Sequence, residues 1–398
     1  MAVRISKGAL KQVRRGHPWI YQDAIVSQSF AGDPGDLAVI FDDSRNFVAI
    51  GLFDPASPIR VRVLHAGRPE TIDESFFANR VRDAARLRVQ LAVDAGTTAY
   101  RLINGENDGF PGLIVDRYAE SLVVKLYSGA WFAHLEGLLP LLVNHAGVPI
   151  ENVVLRLARH VSSGECFGLS DGQALIGDGS ERALFLENGL QFEADLRRGQ
   201  KTGHFLDQRD NRRRVREMTQ GAEVLDVFSC TGGFTVHAAA GGARSVVSID
   251  RDPHAMAACE RNLALNLAQV PPVEHEMIVA DAFDAMAELA VQRRRFDVVI
   301  VDPPSFAQKQ SDIGRALRAY RRLTELALRL LEPGGCLVQA SCSSRVTSDE
   351  FFDVVIGTAD RAAVRLVDVR RTGHGIDHPV TFAEGAYLKA LFATVEFD

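Results

Sequence analysis

From residue 221 onward, short apolar runs alternate with stretches of amphipathic, helical periodicity. The apolar runs occupy residues 223–228, 245–250, 277–279, 296–301 and 336–340. Apolar runs separated by amphipathic helices are typical of strands buried on both faces of a parallel sheet built from βαβ units. Two further strands, predicted at 364–369 and 387–396, follow these units. The pattern therefore predicts an α/β sheet with helices on both faces.

The preceding sequence has a different texture and divides in two. Its first part contains short apolar runs separated by Gly, Pro and Asp, which predicts a small β-rich domain. Its second part combines two predicted helices, 74–93 and 131–145, with alternating strand patterns, which predicts a small α+β domain. We therefore expect three domains, with the boundaries 1–68, 69–195 and 196–398.

Charge changes this picture only locally. The chain carries 45 Lys and Arg against 51 Asp and Glu, and this net charge of −6 argues against a protein that coats nucleic acid through bulk charge. Basic side chains nevertheless form local clusters: Lys7, Lys11, Arg14 and Arg15; Arg197, Arg198 and Lys201; Arg209, Arg212, Arg213, Arg214 and Arg216; and Arg315, Arg318, Arg321 and Arg322. Each cluster is either a solvated helix face or a local site for nucleic acid.

The cysteines argue against two kinds of site. The chain has five, Cys166, Cys230, Cys259, Cys336 and Cys342, an odd number without the spacing of a disulfide framework or of paired zinc ligands. We therefore predict no metal site. The apolar runs are too short to span a bilayer, and the basic first 15 residues precede no apolar signal core. We expect a cytoplasmic protein.

Chemically informative residues follow four of the predicted strands, where ligands of an open α/β sheet bind. Around the end of the first strand lie six candidate ligand-binding residues: Asp226, Phe228, Cys230, Thr231, Gly232 and Gly233. The two glycines let the backbone approach a ligand without a Cβ in the way. The second strand ends at Asp250, 24 residues after Asp226, at the position of an acid that accepts from ribose hydroxyls. Asp281 follows the third strand and is placed to accept from an adenine amino group, and Asp302 follows the fourth. Each acid is alternatively a helix N-cap.

The order of these positions resembles the class I S-adenosylmethionine-dependent methyltransferases. Their glycine-rich first loop, acidic second-strand end and later Asp-Pro-Pro segment match Gly232-Gly233, Asp250 and Asp302-Pro303-Pro304. The two predicted terminal strands are also similar to the antiparallel ending of that Rossmann-like fold. A nicotinamide dehydrogenase shares the first two features, but a proline pair after the fourth strand has no role in hydride transfer. The resemblance implies that the cofactor is S-adenosylmethionine.

Cys342 follows the fifth strand, beside Asp302 across the predicted sheet. Cytosine carbon 5 is too weak a nucleophile to attack a sulfonium methyl group unaided, but a thiolate that adds to carbon 6 turns the base into a reactive enamine. We expect Cys342 to be this nucleophile and Asp302 to share a proton at N3 of the base. We expect the residues after Asp302 to stiffen the loop and contact the base: Pro303, Pro304, Ser305 and Phe306. Cys342 is alternatively a small core residue, as we expect for Cys336.

Three segments extend the resemblance over nearly the whole chain. Residues 16–21, 105–118 and 198–212 resemble the bacterial large-subunit ribosomal RNA cytosine-C5 methyltransferase family, which begins with a PUA module. The resemblance implies that four residues border the adenosine: Lys201, Phe205, Asp207 and Gln208. It also implies that the first domain binds RNA, with contacts from Lys11, Arg14 and Arg15. The implied partner is ribosomal RNA with a single-stranded or flipped-out cytidine, and a homodimer stays open.

Two positions depart from related motifs, so alternative functions stay open. Amino-directed methyltransferases carry an aromatic residue directly after the proline pair, where this chain has Ser305, and this difference favours ring-carbon chemistry. Many RNA cytosine methyltransferases carry a cysteine at the position of Pro304, which leaves the release of the adduct open. The second hypothesis is methylation of a ring nitrogen or exocyclic amine of an RNA base without a thiol. The third is a non-catalytic RNA-binding protein.

Overall fold

The computed structural model describes residues 1–162 and 167–397, so Cys166 lies outside the described residues. The chain forms two compact units. The first contains Met1–Leu186, Ala194–Leu206 and Ile376–Phe382, and the second contains Glu187–Glu193, Asp207–Gly375 and Ala383–Asp398. Each unit has hydrophobic cores of its own.

The first unit begins with a six-stranded, mostly antiparallel sheet. Its elements are β1 (Ala2–Ile5), α1 (Lys7–Arg14), β2 (Trp19–Tyr21), β3 (Ile25–Gln28), β4 (Leu37–Phe41), β5 (Phe47–Phe53) and β6 (Ile59–Ala66). The strand order is β2-β6-β5-β4-β1-β3, with β1 parallel to β4. Helix α1 begins after Ser6, whose hydroxyl accepts from the Ala9 amide, and it packs Ala9 and Val13 into the core. The predicted β-rich start of the chain is confirmed.

A second sheet, of five strands, forms the rest of this unit's framework. The elements are α2 (Glu74–Leu87), α3 (Val89–Ala92), β7 (Ala99–Asn104), β8 (Leu113–Tyr118), β9 (Ser121–Leu126), α4 (Phe132–Asn144), β10 (Asn152–Leu157), α5 (Arg159–Ser162) and β11 (Ala174–Ile176). The strand order is β11-β10-β9-β8-β7. The helical stretch predicted over 74–93 forms two helices, α2 and α3, which meet at Arg88, whose buried guanidinium pairs with Asp108 at 2.6 Å.

A two-stranded ribbon, β12 (Arg182–Glu187) and β13 (Leu190–Asp195), precedes helix α6 (Arg209–Met218). The sheet of the second unit follows: β14 (Glu223–Val227), α7 (Gly233–Ala240), β15 (Ser245–Asp250), α8 (Pro253–Ala264), β16 (Glu274–Val279), α9 (Ala282–Val291), β17 (Phe296–Val301), α10 (Ile313–Leu330), β18 (Leu331–Ser341), α11 (Ser348–Arg361), β19 (Val364–Thr372) and β20 (Lys389–Phe397). Its order is β16-β15-β14-β17-β18-β20-β19, parallel except for β20, which is antiparallel to both neighbours.

Alternate residues of the central strands enter hydrophobic cores on opposite faces of this sheet. Leu225 packs in one core with Tyr320 and Phe351 from the helices α10 and α11, whereas Val224 packs in the other with Phe234 from α7. Because both faces are buried, these strands are continuously apolar. The predicted α/β sheet with helices on both faces is confirmed. Among the described residues, no helix is long and apolar enough to cross a membrane.

The strand that leads to Cys342 is longer than predicted. The sequence predicts this strand from residue 336, whereas β18 begins at Leu331, which pairs with Phe296. The register shifts before Cys336 pairs with Val298, so the intervening Pro333 and glycines form an irregularity inside the strand. Proline and glycine normally indicate a turn, which is why the sequence pattern missed it. Cys336, which was expected in the core, is half-buried and packs against the hydrophobic core that contains Val338.

Candidate active site

Strand β14 places Asp226 at the carboxyl edge of the second unit's sheet. Its side chain is fully buried, and Oδ2 accepts a hydrogen bond from Thr235 Oγ1 at 2.7 Å. Among the described residues, Oδ1 has no hydrogen-bond partner. Burial, helped by the negative charges of Asp302 and Asp250, raises the pKa of Asp226 to about 7. A buried oxygen without a partner marks a position where a donor or cation of a ligand fits.

The loop after Asp226 is held in an unusual conformation. Phe228 (φ 65°), Cys230 (φ 50°) and Gly232 (φ 82°) all adopt the left-handed region. That region costs a non-glycine residue about 1–2 kcal/mol. The Cys230 amide donates to Asp250 Oδ2 at 3.0 Å, which connects the loop to the end of β15. Strain that is held in place by such contacts is typical of ligand-binding loops.

The two glycines of this loop also lie in close contact with neighbouring helices. A Cβ on Gly232 would lie 2.5 Å from Cys259 Sγ, and a Cβ on Gly233 would lie 2.9 Å from Arg212 Cδ. Arg212 is fixed by a buried bidentate ion pair with Glu187, at 2.6 and 2.7 Å. Both glycines therefore let the loop lie directly against helices α8 and α6.

Asp250 and Asp281 follow neighbouring strands, β15 and β16, and both accept from backbone amides. Asp250 Oδ1 accepts from the Asp252 amide at 2.9 Å. Asp281 is exposed and accepts from the Phe283 amide at 2.9 Å, so it is the N-cap of α9. The alternative role that the sequence left open for Asp281, a helix N-cap, is thus present in the structure. Because a carboxylate has about four acceptor positions, capping is compatible with binding a ligand hydroxyl or amine.

Cys342 lies next to the loop that follows β17. Its Sγ atom is 3.6 Å from the carbonyl oxygen of Pro303, and its side chain is half-buried. The hydroxyl of Ser343 donates to the Ala307 carbonyl at 3.2 Å, which ties the same two loops together a second time. The structure therefore brings Cys342 together with the segment that starts at the half-buried Asp302.

The residues after Asp302 divide into a buried and an exposed part. Pro303 is buried, and its carbonyl faces the thiol of Cys342. Pro304 and Ser305 are exposed, whereas the half-buried ring of Phe306 lies 5.3 Å from the ring of Tyr320. The exposed part is available to a ligand, and the buried part positions the thiol.

Sequence reasoning missed Lys389, which holds the thiol-bearing loop from β20. Its Nζ atom donates to the carbonyl oxygens of Ser343 and Val346, both at 2.5 Å, and its side chain is 1% exposed. Burial lowers the pKa of Lys389 to about 8, and the charge of Cys342 opposes this change. The sequence signal that could have found it is a single lysine at the start of an otherwise apolar strand. In the structure, Lys389 pairs in register with Ser341.

Two of the four residues expected to border the adenosine lie in the second unit. Asp207 is buried, and its Oδ2 accepts from Tyr387 Oη at 2.8 Å. Gln208 is also buried, and its Oε1 accepts from Asn211 Nδ2 at 2.6 Å. These contacts fix the chain just before α6.

The remaining predicted residues lie in the first unit. The Lys201 ammonium is 4.4 Å from the centre of the Phe205 ring, a cation–π contact. The basic residues predicted to contact RNA are exposed: Lys11, Arg14 and Arg15. Arg14 is paired with Asp42 at 2.9 Å. Trp19 Nε1 donates to Glu106 Oε1 at 2.7 Å, so the motifs 16–21 and 105–118 contact each other.

Comparison with protein families decides the class. The model of the S-adenosylmethionine-dependent methyltransferases matches residues 153–393, and that of a PUA-like domain matches residues 3–66. The chain belongs to the S-adenosylmethionine-dependent methyltransferase family. Its cofactor is therefore S-adenosylmethionine, and its β-rich start is a PUA-like domain.

Curated relatives of this methyltransferase cover its full length. It is 44% identical over 402 residues to "Ribosomal RNA large subunit methyltransferase" of Deinococcus radiodurans, covering 100% of this chain and 98% of the relative. It is 35% identical over 395 residues to "Ribosomal RNA large subunit methyltransferase I" of Salmonella arizonae, covering 98% of this chain and 96% of the relative.

Solved structures share the fold of this methyltransferase. A candidate S-adenosylmethionine-dependent methyltransferase from Streptococcus mutans superposes with a TM-score of 0.82 at 22% identity, covering 99% of this chain and 100% of that chain. A second candidate methyltransferase, solved in complex with SAH, gives a TM-score of 0.83 at 21% identity over 99% of this chain and 100% of that chain. At this identity the likeness establishes the fold.

The residues at the strand ends fit the cofactor of the family. S-adenosylmethionine carries a sulfonium, an ammonium and ribose hydroxyls, all of which pair with carboxylates. The buried, unpartnered Oδ1 of Asp226 and the carboxylate of Asp250 supply such acceptors beside the strained loop. These two residues and the loop between Phe228 and Gly233 would hold the cofactor.

Proposed function

We propose that this methyltransferase transfers a methyl group to carbon 5 of a cytidine in large-subunit ribosomal RNA, through a covalent adduct on Cys342. The observation that carries this proposal is the 3.6 Å contact between Cys342 Sγ and the Pro303 carbonyl oxygen. It seats a half-buried thiol beside the Asp302 loop at the same sheet edge as Asp226. The substrate class is supported by the two relatives named as ribosomal RNA large subunit methyltransferases.

Cys342 supplies the nucleophile that the ring carbon requires. Its thiolate adds to carbon 6 of cytosine, so that one sulfur–carbon bond forms and the electrons of the 5,6 double bond become available at carbon 5. When bound, S-adenosylmethionine would supply the methyl group as an electrophile, the bond to carbon 5 forming as the sulfur–methyl bond breaks and S-adenosylhomocysteine leaves. Loss of the carbon 5 proton to a base in the site then restores the double bond as the sulfur–carbon bond breaks, and Cys342 regains its thiolate.

Asp302 and Lys389 stabilise the negative charges that form on the base and on Cys342 during the reaction. Addition of the thiolate places negative charge on the base, and the carboxyl group of Asp302 holds or shares a proton at N3. Lys389 keeps the thiol-bearing loop in place through Ser343 and Val346, and its ammonium favours the thiolate of Cys342. The exposed Pro304 and Ser305 face the target base, and the ring of Phe306 borders the position next to it.

We also propose separate roles for the three predicted domains. The domain over residues 1–68 holds RNA through its exposed Lys11, Arg14 and Arg15, because a PUA-like domain with a basic helix is suited to phosphate contacts. Residues 69–195 form the central domain, and residues 196–398 bind the cofactor and perform the transfer. Asp207 and Gln208 would border the adenosine from the segment before α6, and the same role for Lys201 and Phe205 stays a prediction from the resemblance.

Trapping of the covalent adduct tests the mechanism. RNA that carries 5-fluorocytidine has no proton to lose at carbon 5, so the adduct accumulates and shifts the protein on a denaturing gel. We expect the wild type to form this adduct and to produce 5-methylcytidine in ordinary RNA, as detected by nucleoside mass spectrometry. Cys342→Ala should do neither while binding S-adenosylmethionine in calorimetry as the wild type does.

The matched control is Cys336→Ala, which removes a half-buried thiol from the strand that leads to Cys342 and should leave both readouts unchanged. Full transfer by Cys342→Ala would remove the covalent mechanism. A methyl group found on a nitrogen of the base would instead support methylation of a ring nitrogen or amine without a thiol. Absence of both cofactor binding and transfer in the wild type would support a non-catalytic RNA-binding protein.

A further inference from the structure

A cleft of about 440 Å³ lies beside the loop that carries Asp302. It is lined by Ser305, Phe306, Gln308, Asp312, Arg315 and Ala319. The first lining residues continue directly from the Asp-Pro-Pro segment, and the last belong to helix α10. A ligand in this cleft therefore lies next to the site proposed for the target base.

The cleft combines an aromatic face with a fixed guanidinium. The half-buried ring of Phe306 rests against Tyr320, which keeps its orientation. Asp312 accepts from the amides of Gln308 and Lys309 at 3.3 and 3.1 Å, and it pairs with Arg315 at 3.2 Å. The Arg315 side chain lines the cleft and is 71% exposed, so it is accessible to a ligand there. An aromatic ring beside an arginine suits a nucleotide, because one stacks on a base and the other pairs with a phosphate.

Helix α10 continues this positive charge away from the cleft. Arg315, Arg318 and Arg322 are exposed and lie three and four residues apart in turn, which places them on one side of the helix. We call these three residues the arginine face. At a rise of about 1.5 Å per residue, the arginine face extends roughly 10 Å along the helix axis. The opposite side of α10 carries Tyr320 and Leu323 into the hydrophobic core.

The charge of the arginine face is little compensated. Among the described residues, Arg315–Asp312 is its one ion pair, while the Arg322 guanidinium lies 5.1 Å from the Phe283 ring. This local positive surface contrasts with the net charge of −6 of the whole chain. Three guanidinium groups in a row beside an aromatic cleft match the repeated phosphates and bases of a single-stranded nucleic acid better than they match an acidic peptide, which has no bases to stack.

We infer that the cleft and the arginine face bind the RNA strand next to the target cytidine. One flanking base stacks on Phe306, and the phosphates that follow pair with Arg315, Arg318 and Arg322. This inference rests on the proposed function, since it presumes an RNA substrate. It adds the surface of the second unit that the RNA contacts beside the target cytidine.

Binding of a fluorescein-labelled, single-stranded RNA oligonucleotide, measured by anisotropy over a range of salt concentrations, tests the inference. The double variant Arg318→Glu/Arg322→Glu should bind roughly tenfold or more weakly, and its salt dependence should fall by about 0.7 log units per log unit of salt for each phosphate that no longer pairs with an arginine. Phe306→Ala should weaken binding about tenfold with no change in the salt dependence, since stacking releases no counterions.

Arg295→Glu is the matched control, because it reverses an exposed charge just before β17, at the edge of the sheet opposite the one that carries Asp302. It should bind RNA as the wild type does. Binding of S-adenosylmethionine by every variant, measured by calorimetry, shows that the second unit is folded.

Wild-type affinity and salt dependence in Arg318→Glu/Arg322→Glu would overturn the inference. So would binding of polyglutamate that depends on the arginine face while RNA binding does not. A different result would contradict the proposed function. If the oligonucleotide binds through the arginine face but the wild type makes no 5-methylcytidine, the RNA-binding surface is supported and methylation of cytosine carbon 5 is excluded.

Discussion

The ammonium of Lys389 donates to the carbonyl oxygen of Ser343 at 2.5 Å, one residue beyond the thiol of Cys342. A buried lysine normally loses its proton readily, and burial lowers the pKa of this one to about 8. A negative charge on Cys342 would act in the opposite direction, so an ammonium on Lys389 and a thiolate on Cys342 would stabilise each other. We therefore expect Lys389 to position the loop after Cys342 and to favour its thiolate.

Lys389→Met should slow methyl transfer on the order of 100-fold, because a small displacement of a reacting group has effects of this size. The change keeps the length of the side chain and removes the ammonium. Alkylation of Cys342 by iodoacetamide at fixed pH should also slow, since less thiolate is present, and the reaction should need higher pH. Lys309→Met, at an exposed lysine, should alter neither rate. Loss of transfer with unchanged alkylation over the whole pH range would mean that Lys389 serves the fold alone.

The stability of the cofactor-free protein should depend on the protonation of Asp226. Because burial raises the pKa of this group to about 7, the folded state holds a proton that the unfolded state releases above pH 4. The free energy of unfolding therefore falls as pH rises from about 4 to about 7, by up to roughly 1.4 kcal/mol per pH unit. Asp226→Asn should lack this decline in urea unfolding at pH 5 and pH 8. If the free energy of unfolding changed equally with pH in the wild type and in Asp226→Asn, the raised pKa of Asp226 would be refuted.

Gly232→Ala should destabilise the cofactor loop through a clash as well as through backbone strain. The new Cβ would lie 2.5 Å from Cys259 Sγ, at a φ of 82° that costs an alanine about 1–2 kcal/mol. Gly221→Ala is the control for strain alone, since its φ is 71° but nothing lies within 4 Å of the new Cβ. We expect calorimetry to show weaker cofactor binding for Gly232→Ala and unchanged binding for Gly221→Ala. Equal behaviour of both variants would show that the contact with Cys259 is unimportant.

The buried ion pair between Glu187 and Arg212 should matter far more than a surface pair. Glu187→Gln removes the carboxylate from the buried Arg212 guanidinium beside Gly233, and breaking a buried pair in this way costs about 3–5 kcal/mol. Glu223→Gln, which breaks the exposed pair with Arg244, should cost about 1 kcal/mol or less. Urea unfolding followed by circular dichroism measures both. Similar losses in the two variants would contradict this assignment.

Local pattern was enough to predict the architecture around the candidate site. The continuous apolar runs predicted the strands β14, β15 and β17 because residues buried on both faces of a sheet must all be apolar. The same runs located Asp226, Asp250 and Asp302, since the positions after parallel strands share one edge of the sheet. Where proline and glycine lie inside a strand, as at Pro333 in β18, the local signal indicated a turn and the prediction failed.

By itself the sequence determined the class of fold, the order of its elements and the strand ends at which the acids lie, because these depend on the period and content of short segments. Only the tertiary structure decided that Gly232 and Gly233 lie against Cys259 and Arg212, that Cys342 contacts Pro303, and that Lys389 holds the loop that follows Cys342. These contacts join residues that are far apart in the chain. Their distances follow from how strands and helices pack, a property that no local pattern contains.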